Sequence, residues 1–303
     1  MKIGSATVRV PGVCGELVQG MLDDDYFLVT CPIDYFSRVQ VDLFSPKSPG
    51  VHPPVIGRRV IGPEDSPKAV AVVAATLAHL GREELSARLA ISNPIPRGKG
   101  MGSSSADVVA AIAATGLALD QELSPQAIGR LALLEEPTDG VMFPGIALFD
   151  HRQGNLMEEL GPPPPMEIVA LDFGGTVDTV EFNREDRRSL WQSLRPQTDQ
   201  ALELVRQGIK EVDPKKLGRG ATISAEANQQ VLHKPQLTGV LKFAQSIDAA
   251  GVTVGHSGTI IGVLLDAKER RGKSVFRQAK ESFPNAEAVL HFRLLGGGVQ
   301  RVG

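Results

Sequence analysis

Cysteine is scarce. Only Cys14 and Cys31 occur in 303 residues, too few and too far apart for a disulfide framework or a zinc site. Cys14 sits in a glycine-rich turn where a nucleophilic role is conceivable, but no His/Asn partnership supports it, and an ordinary buried thiol is the simpler reading. Charge of one sign is lacking too: 32 Lys and Arg stand against 35 Asp and Glu, a net charge of −3. That leaves no electrostatic footprint for nucleic acid or an anionic membrane, and a small-molecule partner fits better. Long hydrophobic runs are missing. The stretches Ala69–Leu80 and Ala110–Leu119 fall well short of a membrane span, and Met1-Lys-Ile-Gly-Ser-Ala-Thr7 carries no apolar signal core. A cytoplasmic location is the expectation.

Hydrophobic residues make up 42% and charged residues 22%, ordinary values for a globular chain. The length permits a sizeable core and suggests about two domains. Strand-like runs at Ala6–Pro11, Tyr26–Cys31 and Phe36–Phe44 open the chain. Ser45–Pro67, rich in Pro and Gly, reads as irregular structure or a short hairpin. A helix follows, with Ser66 as cap, Pro67 in its first turn and Gly81 as stop. Ser86–Ser92 reads as a strand, Ala106–Leu119 as a helix, and Ser124-Pro125 opens another that ends near Glu135-Glu136-Pro137. Gly145–Asp150 is a further strand.

Gly161 and the four prolines after it suit no regular element, so they mark the best boundary between two halves. Beyond it, strands are expected at Glu167–Asp172, Gly258–Asp266 and Ala286–Leu294, with helices at Glu185–Gly208, Pro214–Glu226, Leu237–Ala250 and Lys268–Ser282. This alternation predicts an α+β unit whose sheet is covered on one face by helices.

The segment with most chemistry is Pro96-Arg-Gly-Lys-Gly-Met-Gly-Ser-Ser-Ser-Ala106. Gly98, Gly100 and Gly102 permit positive φ and close approach of backbone to a ligand. The helix that follows offers unpaired N–H groups and the positive end of its dipole. Together they form an anion site suited to a nucleotide diphosphate, with Ser103, Ser104 and Ser105 as hydroxyl donors and Arg97 and Lys99 adding charge. A flexible serine-capped turn explains one glycine and one serine, but poorly explains three of each. Walker A is absent because Lys99 precedes the last glycine. The dinucleotide G-x-G-x-x-G pattern fails at Ser105, and no His-Arg-Asp or Asp-Phe-Gly triplet occurs.

Phosphoryl transfer to an alcohol needs positioning, Mg²⁺ and often a carboxylate to accept the proton. Glu135-Glu136-Pro137-Thr138-Asp139-Gly140 places two carboxylates three residues apart, one closing a helix and one in the turn beyond. A solvated helix end followed by an Asx turn is the alternative, yet helix C-termini disfavour negative charge, so two glutamates there call for a compensating cation. Glu16, Gln19 and Asp34 are ambiguous between substrate contacts and turn structure. His256 is expected as a surface or capping residue, and Asp23-Asp24-Asp25 as a solvated loop.

Residues 96–106 closely resemble the second motif of the GHMP kinase superfamily, P-x-x-x-G-(L/M)-G-S-S-(A/S). Pro11-Gly-Val-Cys-Gly-Glu-Leu-Val-Gln-Gly20 resembles its first motif, and Gly251-Val-Thr-Val-Gly-His-Ser-Gly-Thr-Ile-Ile-Gly262 its third. The resemblance implies a two-domain α+β fold, with a βαβ-rich nucleotide-binding domain over residues 1–160 and a ferredoxin-like domain over 161–303. It implies ATP and Mg²⁺ as cofactors, Asp139 as the catalytic carboxylate, Glu136 as an Mg²⁺ ligand and Ser103 as hydroxyl partner of metal or phosphate. Val13 stands where mevalonate kinases carry lysine, which counts against mevalonate. The string from Pro11 to Gly20, with Glu136-Pro-Thr-Asp139 downstream, looks most like the L-threonine kinases of cobalamin biosynthesis, which make O-phospho-L-threonine for the aminopropanol linker. Glu16 and Gln19 would then meet the substrate. Homoserine kinase and a non-catalytic nucleotide-binding protein of the same fold are the alternatives. A homodimer is compatible with all three.

Overall fold

The computed structural model describes residues 1–46, 59–177, 182 and 184–303. Most of the stretch expected to be irregular between Ser45 and Pro67, residues 47–58, lies outside the described residues. The chain opens with a long antiparallel hairpin, β1 (Lys2–Leu22) and β2 (Asp25–Phe44). Three separate strands are expected here, but the hairpin is continuous. Register shifts around Val13 and Glu16 let β1 carry the first motif through the sheet instead of leaving it for a turn. The two-residue turn between them has Asp23 at φ 52°, a left-handed conformation that Asp tolerates better than most residues, which explains the acidic run at this spot.

A single path of strands runs β10-β7-β9-β8-β1-β2-β4-β3. Here β3 is Val60–Ile61, β4 Ser86–Ser92, β7 Met166–Asp172, β8 Gly251–Val254, β9 Ile261–Asp266 and β10 Ala288–Arg293. Off this path, β5 (Ile146–Phe149) pairs with β2 and with β6 (Met157–Gly161), and β11 (Gln300–Arg301) pairs with β1. The strands β10-β7-β9-β8 are mutually antiparallel, and their order with the intervening helices is the β-α-β-β-α-β arrangement expected of the second half. β1 meets β8 at one register point, Glu16 opposite Val254. Gly15, at φ 65°, makes that meeting possible, since a Cβ there would lie 2.3 Å from the Val254 carbonyl carbon.

Helices α1 (Pro67–His79), α2 (Ser103–Leu117) and α3 (Pro125–Ala132) cover the first half. α2 is buried along almost its whole circumference. Its run of alanines allows neighbours to approach closely on every side, as an internal helix requires. The expected helix over Glu185–Gly208 is two helices, α4 (Arg188–Ser193) and α5 (Arg195–Lys210). Pro196 lies in the first turn of α5, where its missing N–H costs nothing, whereas inside one continuous helix it would break the ladder. α6 (Pro214–Asn228) is capped by Asp213, whose side chain receives the Lys215 and Lys216 N–H groups. α7 spans Leu237–Ser246 and α8 Gly272–Ser282. The expected helix from Lys268 begins later because Arg270 takes a left-handed conformation, φ 53°.

Two cores result. The larger joins the β1–β2 hairpin to α1, α2 and α3 through residues such as Val8, Leu17, Val29, Val72 and Ile112, and extends to Ile168, Ala170 and Leu264. The second lies between Val169, Leu171, Val252 and Val263 and the helices α6, α7 and α8. Alternate residues of β7 therefore face different cores, so this sheet has helices on one face and the main core on the other. Among the described residues no helix is long and apolar enough to cross a membrane.

Candidate active site

The glycine segment joins β4 to α2, and its three alternating glycines all have positive φ: 71° at Gly98, 79° at Gly100 and 65° at Gly102. Two neighbours hold it. The Val13 N–H of β1 donates to the Met101 carbonyl at 2.9 Å, and the N–H groups of Thr259 and Ile260 both reach the Lys99 carbonyl at 3.1 Å. All three segments that carry the resemblance thus meet at one place. They pack backbone against backbone, for a Cβ on Gly258 would lie 2.2 Å from the Gly100 nitrogen. The turn that follows β8 is shorter than its glycines suggest. Gly251–Val254 is itself a strand, which the motif resemblance concealed.

A cleft with a cavity volume of about 290 Å³, open to solvent, spreads from this junction, close to the lower end of the range for ligand pockets. Pro96, Arg97, Gly98, Gly100, Met101, Gly102, Ser103, Ser104 and Ser105 line it; Lys99 and Ala106 do not. Lys99 turns to the second half of the chain, 2.9 Å from Asp172 and 3.4 Å from Glu287. Its charge is therefore spent structurally, contrary to the expectation that it flanks an anion. Arg97 does face the cleft, held by the Ser66 hydroxyl at 3.0 Å and the Asp65 carboxylate at 3.3 Å.

Glu136, Asp139 and Glu16 all line the same cleft. Glu136 is buried and paired with Lys68 at the start of α1, and it accepts a hydrogen bond from the Ser104 hydroxyl. The helix expected to end near Glu135-Glu136-Pro137 stops at Ala132. Glu136 lies four residues beyond it instead of closing it, and Lys68 is the cation paired with this carboxylate. Ser104, not Ser103, is the serine on Glu136. The Ser103 hydroxyl instead receives the Asn93 amide at 3.0 Å, and that amide also reaches Asp107 at 2.7 Å. Asp107 accepts from Ser37 as well, at 2.5 Å. Burial raises its pKa against those two hydrogen bonds.

Asp139 is half-buried, and its N–H donates to the Ser105 hydroxyl at 3.1 Å. Burial pushes its carboxyl up to about 6; the Ser105 hydroxyl pulls it back and the charge of Glu136 adds to the rise. Glu16 is 3% exposed. Burial first, and then the neighbouring charge of Asp139, drive its pKa well above the usual carboxylate range. Its Oε2 has no hydrogen-bond partner among the described residues.

Gln19 is fully buried, its amide oxygen 2.7 Å from His256 Nδ1. His256 is buried as well, against the expectation of a surface position, with its ring 5.0 Å from both His151 and Phe182. Burial, with the charges around it, holds it well below the ordinary histidine range. Asp34 lies elsewhere: it receives the Arg293 N–H at 2.7 Å and ties β2 to β10. Burial and the charge of Glu16 push the Cys14 thiol up to about 12, so it carries no thiolate and plays no nucleophilic part.

Lys68, Asn93, Asp107 and His151 are the site residues that the sequence did not single out. Asp107 carried a signal, being the lone charge in an otherwise apolar helix. Lys68 carried none, since only folding brings it to Glu136.

The model of the GHMP kinases N-terminal domain matches residues 68–143, the stretch from Lys68 through the glycine loop to just past Asp139. The chain is 31% identical to an L-threonine kinase of Salmonella typhimurium, over 97% of this chain and 95% of that one. An L-threonine kinase of Citrobacter freundii is also 31% identical, over 97% and 99%. Among solved structures, a homoserine kinase from Cytophaga hutchinsonii superposes with a TM-score of 0.73 over 98% of this chain and 97% of that one, at 18% identity.

Proposed function

The chain belongs to the GHMP kinases and is a small-molecule kinase; on that premise we propose that it transfers the γ-phosphoryl group of ATP to the hydroxyl of L-threonine, giving ADP and O-phospho-L-threonine. The observation that carries this reading is the convergence of Asp139, Glu136 and Glu16 on the cleft lined by the glycine loop.

ATP phosphates lie against the N–H groups of residues 100–105, where three positive-φ glycines and the N-terminus of α2 favour negative charge. Arg97, at the rim, adds a cation. Glu136 and Ser104 fit Mg²⁺, a hard ion that takes few protein oxygens and completes its shell with water and phosphate. When bound it neutralises charge on the phosphates. Lys68, the partner of Glu136 in its absence, is close enough to turn its ammonium to phosphate instead. Asp139 accepts the hydroxyl proton. A pKa of about 6 leaves it ionised yet basic at neutral pH, which suits a general base. Glu16, with an unpartnered oxygen, receives the substrate ammonium, and Gln19 stands beside it. O-phospho-L-threonine would serve as precursor of the aminopropanol linker of the corrinoid.

The test is ADP release with a panel of hydroxy-amino acids. Turnover with L-threonine and not with L-homoserine or L-serine is expected. Turnover with homoserine alone, or with none, overturns the assignment.

A second prediction concerns the meeting of the glycine turns. Gly258→Ala forces a Cβ into the Gly100 backbone, an overpacking that costs about 1–3 kcal/mol. Part of that cost falls on the loop that holds the phosphates. KM for ATP should rise roughly tenfold, since about 1.4 kcal/mol is a factor of ten. An unchanged KM for ATP would show that the loop does not depend on this contact.

A further inference from the structure

Past Glu16 along β1, just outside the residues that line the cleft, several buried polar atoms have no hydrogen-bond partner among the described residues. Lys234 follows α6. It is 5% exposed, and its Nζ has no hydrogen-bond partner among the described residues. Its backbone is fixed on both sides by one side chain: the Lys234 N–H donates to Gln229 Oε1 at 2.6 Å, and Gln229 Nε2 donates to the Lys234 carbonyl at 2.9 Å. A buried, unpaired ammonium is costly, and a segment braced to hold one in place is not an accident of packing.

Three features place this ammonium beside the proposed substrate site. Its charge reaches His256, as do those of Arg152 and Arg187, and His256 lines the cleft and touches Gln19. The Gln19 N–H donates to Ser224 Oγ of α6 at 3.1 Å. Asn228, one helical turn beyond Ser224 and therefore on the same face, is 1% exposed with both its amide oxygen and nitrogen unpartnered. Gln19 Nε2 and Arg152 Nε are buried and unpartnered too. The Arg152 guanidinium stacks 3.7 Å from the Tyr26 ring, and the nearby Asp150 carboxylate is already occupied by the N–H groups of Arg152, Gln153 and Asn155.

Along β1 the order is fixed. Val13 holds the glycine loop, Glu16 comes next, and Gln19 lies three residues further, at most about 10 Å at 3.3 Å per residue. A buried carboxyl group, Glu16, thus stands at the near end of this region, and a buried amine with spare amide donors at the far end.

We propose that Lys234, with Gln19, Asn228 and Arg152, forms the subsite for the carboxylate of the substrate. The inference rests on the reading that the substrate is a hydroxy-amino acid. Glu16 and Lys234 then grip the two ends of the zwitterion, and the hydroxyl is left pointing to Asp139. The carboxylate satisfies the donors that the free protein leaves open, which explains why they are tolerated. Gln229 acts as a positioning residue.

Lys234→Met is the deciding variant, assayed with L-threonine and with L-threonine amide, which keeps the hydroxyl and ammonium but has no anionic end. Removing one partner of a buried charge pair should raise KM for L-threonine about 10²-fold or more, while KM for the amide changes less than about threefold. The melting temperature of the free protein should stay level or rise, because an unpaired buried charge is gone. A fall in melting temperature with equal losses on both substrates makes Lys234 structural and overturns the proposal, as does an unchanged KM for L-threonine. Wild-type enzyme that does not turn over L-threonine refutes the threonine reading instead. The same comparison is then made on the alcohol it does accept, and an accepted alcohol without a carboxylate overturns the subsite.

Discussion

Asp139→Asn is expected to lower kcat by roughly 10²–10⁴, the usual scale for loss of a general base, while ATP still binds. Wild-type kcat/KM should fall as pH drops below about 6, where the Asp139 carboxyl takes up its proton. The variant should also be the more stable protein at alkaline pH. Burial raises the Asp139 pKa above its ordinary 3.8, so the folded state binds this proton more tightly than the unfolded chain does. The stability it contributes is present below the unfolded value and lost as pH rises through about 6. Asparagine removes that loss, and at pH 8 the variant should melt no lower than wild type. Thermal melts at pH 5 and pH 8 with steady-state kinetics read both effects. An essentially unchanged kcat would sink the assignment of Asp139 as base.

The second large effect concerns Glu136. Glu136→Gln removes the carboxylate that the Ser104 hydroxyl and Lys68 share. If Glu136 holds Mg²⁺, kcat at limiting metal should fall by about 10²-fold or more, with partial recovery at high Mg²⁺. Lys68 is 39% exposed, so leaving it unpaired costs little in folding, and the variant should melt close to wild type. Activity titrated against Mg²⁺ decides it. A variant that keeps the wild-type metal dependence would show that Glu136 is only the counter-charge of Lys68.

The glycine loop, α2 and the start of α3 were legible in the sequence because each depends on local chemistry. Gly98, Gly100 and Gly102 announce positive φ by being glycine, and Ser124-Pro125 announces a helix start by its cap, which receives the Ala127 N–H at 3.2 Å. Hydrophobic alternation placed β4 and β7 within a residue of their observed bounds. What the sequence concealed depends on long-range pairing. The first motif reads as a turn because Pro11, Gly12 and Gly15 are turn residues, yet pairing with β2 keeps it in a strand. The ion pair of Lys68 with Glu136 joins residues 68 apart in the chain, and nothing local marks either for the other. Lys99 misled for the complementary reason: its place among glycines suggests an anion, and only the fold reveals Asp172.

The long first strand has a consequence for how the protein changes over time. Residues 15–20 lie in an interior strand between β2 and β8, near the turn of the hairpin, and all are buried. Amides in such a position exchange with solvent only when the whole domain opens, whereas a short connection such as residues 229–236 opens at lower cost. Glu16 and Gln19 are therefore held by the most persistent part of the molecule, where most substitutions disturb folding before they alter selectivity. Residues after α6 carry no such penalty. Laboratory selection for a different alcohol should accumulate its changes there and leave β1 untouched.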